Sequence, residues 1–458
     1  MLLPSAAPPA PPAPRGRHAR VAVVGAGAGG LAAIRALRLE GHSVVCFEAA
    51  SGVGGTWDGG ADRPLYDSLR TNLPRSLMAF DAFPWSDDFG GDSRIFCSSL
   101  AVQRYLEAYA DAFSLRGAVR CRCRVTRATP LPRGAGWEVT ALHTPPDDAA
   151  DRGSQTLIVE VFDALIVASG HYAQPFVPPL VASCAPPFPG CVSHSSAYRS
   201  PAAFAGLRVL VVGAASSGED ISREISTVTA RVVLAAETFQ AGGEEEEDSG
   251  GGGGGTRSGR VERRRAKLVS LRPDGSVLFA DGSTLDRVDH VLFCTGYETT
   301  FPFFDENLVD LRVSDNSVSP LFEHMWPVSH APSLSLIGLP FRIVPFPLME
   351  LQASWVAKAL TFGPSLPNPC LPSREAMAAA AREAEASLRP HGGGVSPRHS
   401  HAMSADEQFK YMDRLADAAG RPRLPPWRKR AFLACRDARA ARPGDYRDAP
   451  LDWGGCDG

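Results

Sequence analysis

Two segments of this chain repeat one pattern, an apolar strand that runs into a glycine-rich turn. The first is Val21–Val24 followed by Gly25–Gly30, which reads G-x-G-x-x-G, and the second is Val209–Val212 followed by Gly213–Gly218. In the second turn Ala215 replaces the middle glycine. Such a turn aims the N-terminus of the next helix at a pyrophosphate. Each segment therefore predicts a dinucleotide-binding unit, and two units predict a redox protein that holds two nucleotides, most simply a flavin and a nicotinamide.

Length and composition narrow the class of protein further. The chain has 458 residues, enough for two or three domains that each bury a sizeable core. A net charge of −3 gives no general attraction to nucleic acid or to an anionic membrane. No apolar run approaches the roughly 18 residues that would cross a bilayer, so we expect no membrane span. Ten cysteines without a C-x-x-C pair indicate reduced thiols, and a cytoplasmic protein is expected.

The predicted fold class is α/β, with two Rossmann-like dinucleotide-binding domains, the nicotinamide domain being inserted into a discontinuous flavin domain. Residues 1–18 are rich in Pro and Ala and are expected to form a disordered extension, with a transit peptide as the alternative. We predict the first part of the flavin domain over residues 19–200 and the nicotinamide domain over 201–298. A low-complexity loop rich in Glu and Gly is expected at 241–260. Residues 299–458 are predicted to form the second part of the flavin domain and the C-terminal region.

An acid supports the interpretation of the first unit. Glu48 ends the strand that begins at Ser43 and lies 18 residues beyond Gly30. A carboxylate at this point can accept hydrogen bonds from ribose hydroxyls. The strand, turn, helix and acid together predict dinucleotide binding more specifically than the glycine motif alone.

Several further motifs carry a resemblance to a known family. They are Gly54-Gly55-x-Trp57, Tyr66–Pro74, Phe188-x-Gly190-x-x-x-His194-x-x-x-Tyr198, Cys294–Tyr297 and Phe301–Phe303. With the two turns they resemble the flavin-containing monooxygenases, from residue 20 to about residue 450. Tyr198 replaces the Trp that is usual in Baeyer–Villiger relatives. The segments Ile337–Pro340 and Pro345–Gln352 are most similar to the plant S-oxygenase (glucosinolate S-oxygenase-like) branch.

The resemblance implies FAD and NADPH as cofactors and dioxygen as a co-substrate. NADPH would reduce FAD, the reduced flavin would form a C4a-hydroperoxide, and this would oxygenate a thioether sulfur or amine nitrogen of a small molecule. Two alternatives stay open. One is an indole-pyruvate-type flavin monooxygenase, and the other is a flavin-binding protein with impaired nicotinamide use.

The candidate site residues come from the turns and from the family motifs. Asn72 is the candidate catalytic residue, because an amide donates and accepts hydrogen bonds without titrating. No His or Cys cluster has metal spacing, so no metal is expected. The candidate cofactor-binding residues are Gly25, Ala26, Gly27, Ala28, Gly29, Gly30, Glu48, Gly55, Trp57, His194, Gly213, Ala214, Ala215, Ser216, Ser217, Gly218, Thr295 and Gly296. For Trp57, packing beside the flavin and simple core packing are both open, and His194 is interpreted as coupling domain position to hydride transfer rather than as a general base.

Glu237 bears on the choice of nicotinamide. It ends the second strand of the second unit, 19 residues after Gly218, where NADP-binding proteins place an arginine near the 2′-phosphate. A carboxylate suits the free 2′-hydroxyl of NAD instead. NADPH stays favoured because the family uses it, and Arg231 or a basic residue between 257 and 267 could supply the missing charge. That basic run is otherwise expected to be a solvated surface segment.

Overall fold

The computed structural model describes residues 18–60, 63–86, 89, 91–146, 155–179, 187–239, 260–363, 368–387 and 397–453. The predicted extension at 1–18, apart from His18, and the predicted loop at 241–260, apart from Arg260, lie outside these ranges. The strands before residue 180 are β1 (Arg20–Val24), β2 (Ser43–Phe47), β3 (Val119–Arg120), β4 (Cys123–Pro130), β5 (Trp137–His143), β6 (Thr156–Phe162), β7 (Ala164–Val167) and β8 (Gln174–Pro175).

The strands after residue 190 belong mostly to the second unit. They are β9 (Cys191–His194), β10 (Arg208–Val212), β11 (Arg231–Ala236), β12 (Val261–Arg265), β13 (Leu268–Leu271), β14 (Val277–Phe279), β15 (Thr284–Leu285), β16 (His290–Phe293), β17 (Tyr297–Glu298), β18 (Arg312–Ser314), β19 (Ser317–Ser319) and β20 (Leu334–Leu336). The α-helices are α1 (Ala28–Leu39), α2 (Arg75–Met78), α3 (Ser99–Ala112), α4 (Ser216–Ile225), α5 (Glu306–Val309), α6 (Pro345–Phe362), α7 (Arg374–Ala386), α8 (Ala405–Ala419) and α9 (Trp427–Ala441).

The first sheet is parallel, with the strand order β20–β7–β1–β2–β3. Val21–Val24 in the central strand are buried, as an apolar run is when both faces of a parallel sheet are covered. Side chains of α1, α3, α6 and α8 pack on one face, and the antiparallel sheet β4–β5–β6 packs on the other. The order reverses between β1 and β7, so their carboxyl ends border the crevice in which open α/β sheets bind ligands.

The second sheet repeats this design with the order β12–β11–β10–β16–β9, again all parallel. Helix α4 covers one face, and the small antiparallel sheet β13–β14–β15 covers the other. Strand β9, which precedes the predicted boundary at residue 201, is the edge strand beside β16. Because β20 returns to the first sheet after the second is complete, the predicted insertion of one Rossmann-like unit into the other is confirmed.

A buried histidine pair near the end of the chain gives the fold a dependence on pH. The backbone N–H of Val318 donates to Nε2 of His401 (3.0 Å), and Nδ1 of His401 lies 3.0 Å from Nδ1 of His324. Since Nε2 must accept, His401 carries its proton on Nδ1 and donates it to His324. Burial, with the adjacent His324, lowers the pKa of His401 to about 3.

We therefore expect the free energy of unfolding to fall as the pH falls below 6.5, the ordinary value for histidine. In this range the unfolded chain binds a proton at His401 that the folded chain does not, which costs about 1.4 kcal/mol per pH unit. Urea unfolding followed at pH 6.5, 6.0, 5.5 and 5.0 measures this slope. His401→Gln, which cannot take up the proton, should give a slope shallower by about that amount, and equal slopes in both proteins would contradict the assignment.

Candidate functional site

The first glycine turn lies in the crevice between β1 and β7. Gly25 has a φ of +96°, and a Cβ placed there would come within 2.6 Å of the carbonyl oxygen of Ala168, directly after β7. A Cβ at Gly30 would lie 1.8 Å from the oxygen of Gly25. Both positions therefore exclude any larger residue, because the helix and the two strand ends approach one another closely. The turn leads into α1 with Gly27 as its N-cap residue, so the amide end of the helix faces the crevice.

Glu48 is held beside this turn. Its carboxylate accepts hydrogen bonds from the backbone N–H of Ala26 (2.6 Å) and of Ala50 (2.7 Å). Glu48 as a whole is only 5% exposed. The next loop crosses the turn at Gly55, whose Cα lies 3.4 Å from the position of a Cβ on Gly27. Trp57 follows in a short 3-10 turn and is half-buried against the core cluster that includes α1. The structure thus brings Gly25–Gly30, Glu48, Gly55 and Trp57 together.

The second turn has the same geometry between β10 and β16. Gly213 has a φ of +104°, a Cβ there would lie 2.6 Å from the oxygen of Cys294, and a Cβ at Gly218 would lie 1.8 Å from the oxygen of Gly213. Ala215 is the N-cap residue of α4, with φ −81° and ψ −171°, against −74° and −169° for Gly27. Alanine adopts this extended conformation without strain. The loss of the middle glycine therefore leaves the backbone of the turn unchanged.

Charges at the end of β11 bear on the choice of nicotinamide. Glu237 is exposed, and its Oε1 lies 3.7 Å from Nζ of Lys267. Arg231 stands at the opposite end of β11, six residues or roughly 20 Å away at the usual rise of a strand, and is paired with Glu262. The hypothesis that Arg231 supplies a charge near Glu237 is wrong, because the strand separates them. Lys267 is the cation that the structure brings to this carboxylate.

The basic run after the low-complexity segment differs from the prediction of a solvated segment. Its residues 261–265 form β12, the edge strand of the second sheet. Arg263 donates to Oε2 of Glu219 in α4 (2.6 Å), and the guanidinium of Arg264 lies 4.4 Å from the ring centre of Phe279. Arginine stems that cover apolar surface while their charges are paired allow such a sequence to form a strand.

His194 connects β9 to the segment after β16. Its Nδ1 accepts a hydrogen bond from the backbone N–H of Ser196 (3.1 Å), and its Nε2 donates to the carbonyl oxygen of Gly296 (3.0 Å). Burial lowers the pKa of His194, so the ring is neutral near pH 7. The hydroxyl of Thr295 donates to the oxygen of Phe176, and burial raises the pKa of the neighbouring Cys294 thiol to about 12. The arrangement suits a structural role for His194 and an unreactive Cys294.

Asn72 is an exposed residue in the loop between the bridge formed by Arg70 with Ser98 and the start of α2. Its carbonyl oxygen accepts a hydrogen bond from the thiol of Cys435 (3.5 Å). The preceding residue, Thr71, is buried. Backbone contacts thus fix this loop, while the amide of Asn72 has no hydrogen-bond partner among the residues described.

Sequence reasoning assigned no role to an ion pair that joins this loop to the second sheet. Arg447 donates from both Nη atoms to Asp220 in α4 (3.0 and 2.8 Å) and from Nε to the carbonyl oxygen of Thr71 (3.1 Å). The hydroxyl of Tyr66 also donates to Asp220 (3.2 Å). Tyr66 stands in the motif Tyr66–Pro74, which carries the family resemblance and was the available signal.

Two features are absent from the described residues. None of the helices in those ranges is long and apolar enough to cross a membrane. Within the same ranges, no three or more His, Cys, Asp or Glu side chains are grouped so that they could hold a metal ion.

Two glycine turns, each at the crevice of its own parallel sheet, define a flavoprotein with two Rossmann-type domains. The sequence profile of the family described as Flavin-binding monooxygenase-like matches residues 18–241 and 259–427. The chain belongs to this family and is a flavin-containing monooxygenase, an enzyme that acts on small molecules with dioxygen.

Plant relatives are similar over almost the whole chain. Flavin-containing monooxygenase FMO GS-OX-like 2 of Arabidopsis thaliana is 35% identical over 440 residues, which is 91% of this chain and 88% of that protein. The S-allyl-L-cysteine S-oxygenase from Allium sativum superposes with a TM-score of 0.82 at 32% identity and 96% coverage of both chains. The cyclohexanone monooxygenase from Rhodococcus sp. Phi1, solved bound to NADP+, has a TM-score of 0.58 at 18% identity over 88% of this chain and 97% of that one, and shows the fold alone.

Proposed function

We propose that this protein is an FAD- and NADPH-dependent monooxygenase that oxygenates the sulfur of small thioethers, with tertiary amines as the second substrate class. The observation that carries the proposal is the pair of equivalent turns, Gly25–Gly30 and Gly213–Gly218, in each of which the first and last glycines leave no room for a side chain. The similarity to a garlic enzyme named for S-oxygenation of S-allyl-L-cysteine favours sulfur over nitrogen.

The residues of the first crevice fit an FAD. The N-terminal amides of α1 would face the pyrophosphate, and the close crossing of Gly27 and Gly55 keeps side chains away from it. Glu48 stands at the end of β2, where its carboxylate would meet the ribose of the adenosine. When bound, the flavin supplies the redox chemistry that activates dioxygen.

The residues of the second crevice fit a nicotinamide dinucleotide. The amides at the start of α4 and the hydroxyls of Ser216 and Ser217 would meet its pyrophosphate. Glu237 would lie near the 2′ position of the adenosine ribose, and the ammonium of Lys267 beside it reduces the negative charge there. We therefore retain NADPH, with NADH as the competing nucleotide.

Asn72 is proposed to contact the reacting groups. Its amide is exposed on a loop that α9 and Arg447 hold in place, so it can donate or accept a hydrogen bond without moving the backbone. A thioether sulfur is itself a nucleophile, and its oxygenation requires orientation and exclusion of water more than a side-chain base.

The first experiment mixes the purified yellow protein anaerobically with NADPH or with NADH and follows the absorbance of oxidised flavin. Oxygen is then admitted with S-allyl-L-cysteine, a tertiary amine or indole-3-pyruvate, and products are identified by mass. Bleaching by NADPH and a sulfoxide product support the proposal. An indole-acetic acid product would favour the indole-pyruvate alternative, and a flavin that neither nucleotide bleaches would favour the flavin-binding protein with impaired nicotinamide use.

Asn72→Ala is expected to lower the amount of oxygenated product per NADPH consumed by about fivefold, the worth of one neutral hydrogen bond. Hydrogen peroxide should replace the missing product. Flavin content should not change, because the side-chain amide of Asn72 forms no hydrogen bond within the described residues. Asn72→Gln keeps the amide and should retain more coupling than Asn72→Ala; identical behaviour of both variants and the parent would remove Asn72 from the site.

A further inference from the structure

The end of the chain joins two parts of the molecule that carry different candidate site residues. We call residues 435–448 the C-terminal clamp. On one side it contacts α4, which begins at the second nucleotide turn, and on the other it contacts the segment Tyr66–Asn72. The clamp therefore lies between the proposed nicotinamide site and Asn72.

Arg447 makes the central contacts of the clamp. Its two Nη atoms form a forked pair with Asp220, and its Nε donates to the carbonyl oxygen of Thr71, the residue before Asn72. The side chains of Arg447 and Asp220 are 16% and 17% exposed. Tyr66 donates to the same carboxylate from the Asn72 segment. One guanidinium thus fixes α4 and the Asn72 loop at the same time.

Two further hydrogen bonds also connect the clamp to α4. The guanidinium of Arg439 lies 3.2 Å from Oγ of Ser216, the first residue of the helix. Arg223, near the end of α4, donates to the carbonyl oxygen of Pro443 (2.9 Å). The clamp residues 439, 443 and 447 therefore touch this helix from its first turn to its last.

A second set of contacts connects the clamp to the residues around Asn72. Arg70 donates to the carbonyl oxygen of Arg447 (2.9 Å) and pairs with Asp448. The ring of Tyr446 packs edge-on against Phe96, with 5.3 Å between ring centres. The planar guanidinium of Arg447 donates to a carboxylate and to a carbonyl in one fixed geometry. The ammonium of a lysine cannot reproduce this geometry.

We propose that Arg447 is a positioning residue that keeps the nicotinamide-binding turn in register with Asn72. This inference rests on the proposed function. Hydride delivery and retention of the oxidised nicotinamide both require that α4 keeps its position relative to the Asn72 loop. Without the fork, the Tyr66–Asp220 hydrogen bond and the remaining contacts of the clamp are left to connect the loop to α4, so the two can shift relative to each other.

The test compares Arg447→Lys and Asp220→Asn with the parent protein. Each variant should keep its flavin but reduce it about tenfold more slowly at saturating NADPH, and should release more hydrogen peroxide, as expected for a lost charge-assisted hydrogen bond. Arg423→Lys is the matched control, since Arg423 forms a forked pair with Asp417 on the exposed surface, away from α4. It should behave like the parent.

Amide hydrogen exchange gives a readout that does not depend on turnover. In Arg447→Lys, protection should fall together in Ser216–Asp220 and in Tyr66–Asn72, and should not fall in β1 or β10. Loss in only one segment, or a general loss of stability with normal flavin reduction, would overturn the inference. If neither nucleotide reduces the parent protein, the proposed function fails, while the exchange result still decides whether Arg447 ties the two segments.

Discussion

Gly218→Ala should yield a protein that still binds flavin but is reduced by NADPH at least about 100-fold more slowly. The new Cβ would lie 1.8 Å from the carbonyl oxygen of Gly213, so the start of α4 must move away from the strand end. Forced overpacking commonly costs 1–3 kcal/mol or more, and about 1.4 kcal/mol corresponds to a factor of ten. The upper part of that range applies because the opposing atom is backbone. Stopped-flow absorbance of the oxidised flavin measures the rate.

Two further variants serve as comparisons for this prediction. Gly30→Ala introduces the equivalent clash in the first turn and should instead produce a protein that is purified without flavin. Gly117→Ala has no atom within 4 Å of the added Cβ and should match the parent in both respects. If Gly218→Ala lost flavin and Gly30→Ala kept it, the assignment of the two crevices would have to be exchanged.

Glu237→Arg is expected to raise the preference for NADPH over NADH, measured as the ratio of kcat/KM values, by about 10- to 100-fold. The change removes a carboxylate from the end of β11 and places a guanidinium there, and one charge-assisted hydrogen bond to a phosphate contributes about 1.5–3 kcal/mol. The position is exposed, with the Glu237 side chain 67% accessible, so solvent screening reduces the gain. Steady-state kinetics with both nucleotides gives the ratio.

Two further substitutions separate charge from contact at this position. Glu237→Gln removes only the repulsion and should move the ratio in the same direction by a smaller factor. Lys267→Ala removes the ammonium beside Glu237 and should move it toward NADH. An unchanged ratio in all three variants would mean that the 2′ position of the ribose lies elsewhere.

The parts of the fold that could be predicted are those that local sequence specifies. Parallel strands such as Val21–Val24, which is buried, and Val209–Val212, which is buried except for the half-buried Val212, are apolar runs, and each precedes a glycine that no other residue can replace. Helix α6 begins at Pro345, because proline is well tolerated in a first turn. Strand β12 was missed, since its arginines pair with or stack on groups that are distant in sequence.

The placement of the candidate site residues within the fold was predictable to the same extent. The glycine turns, Glu48 and the Thr295-Gly296 segment each lie at the carboxyl end of a strand. Their neighbours are therefore set by the order of the strands, which the motifs predict. The link between Asp220 and Arg447 spans 227 residues, and neither residue is unusual in its local surroundings. The role of Arg231 was misjudged because it begins β11 whereas Glu237 follows the last residue of that strand, and the two ends of an extended strand are too far apart to meet one phosphate.

The strand order of the first sheet also sets the timing of biosynthesis. Strand β20 begins at Leu334, 310 residues after β1 ends at Val24 (334 − 24), so a ribosome adding about 5–20 residues per second needs about 15–60 s to supply it. All strands of the second sheet emerge earlier, the last being β16. The inserted unit can therefore complete its sheet on the ribosome, while β7 exposes an open edge until β20 arrives.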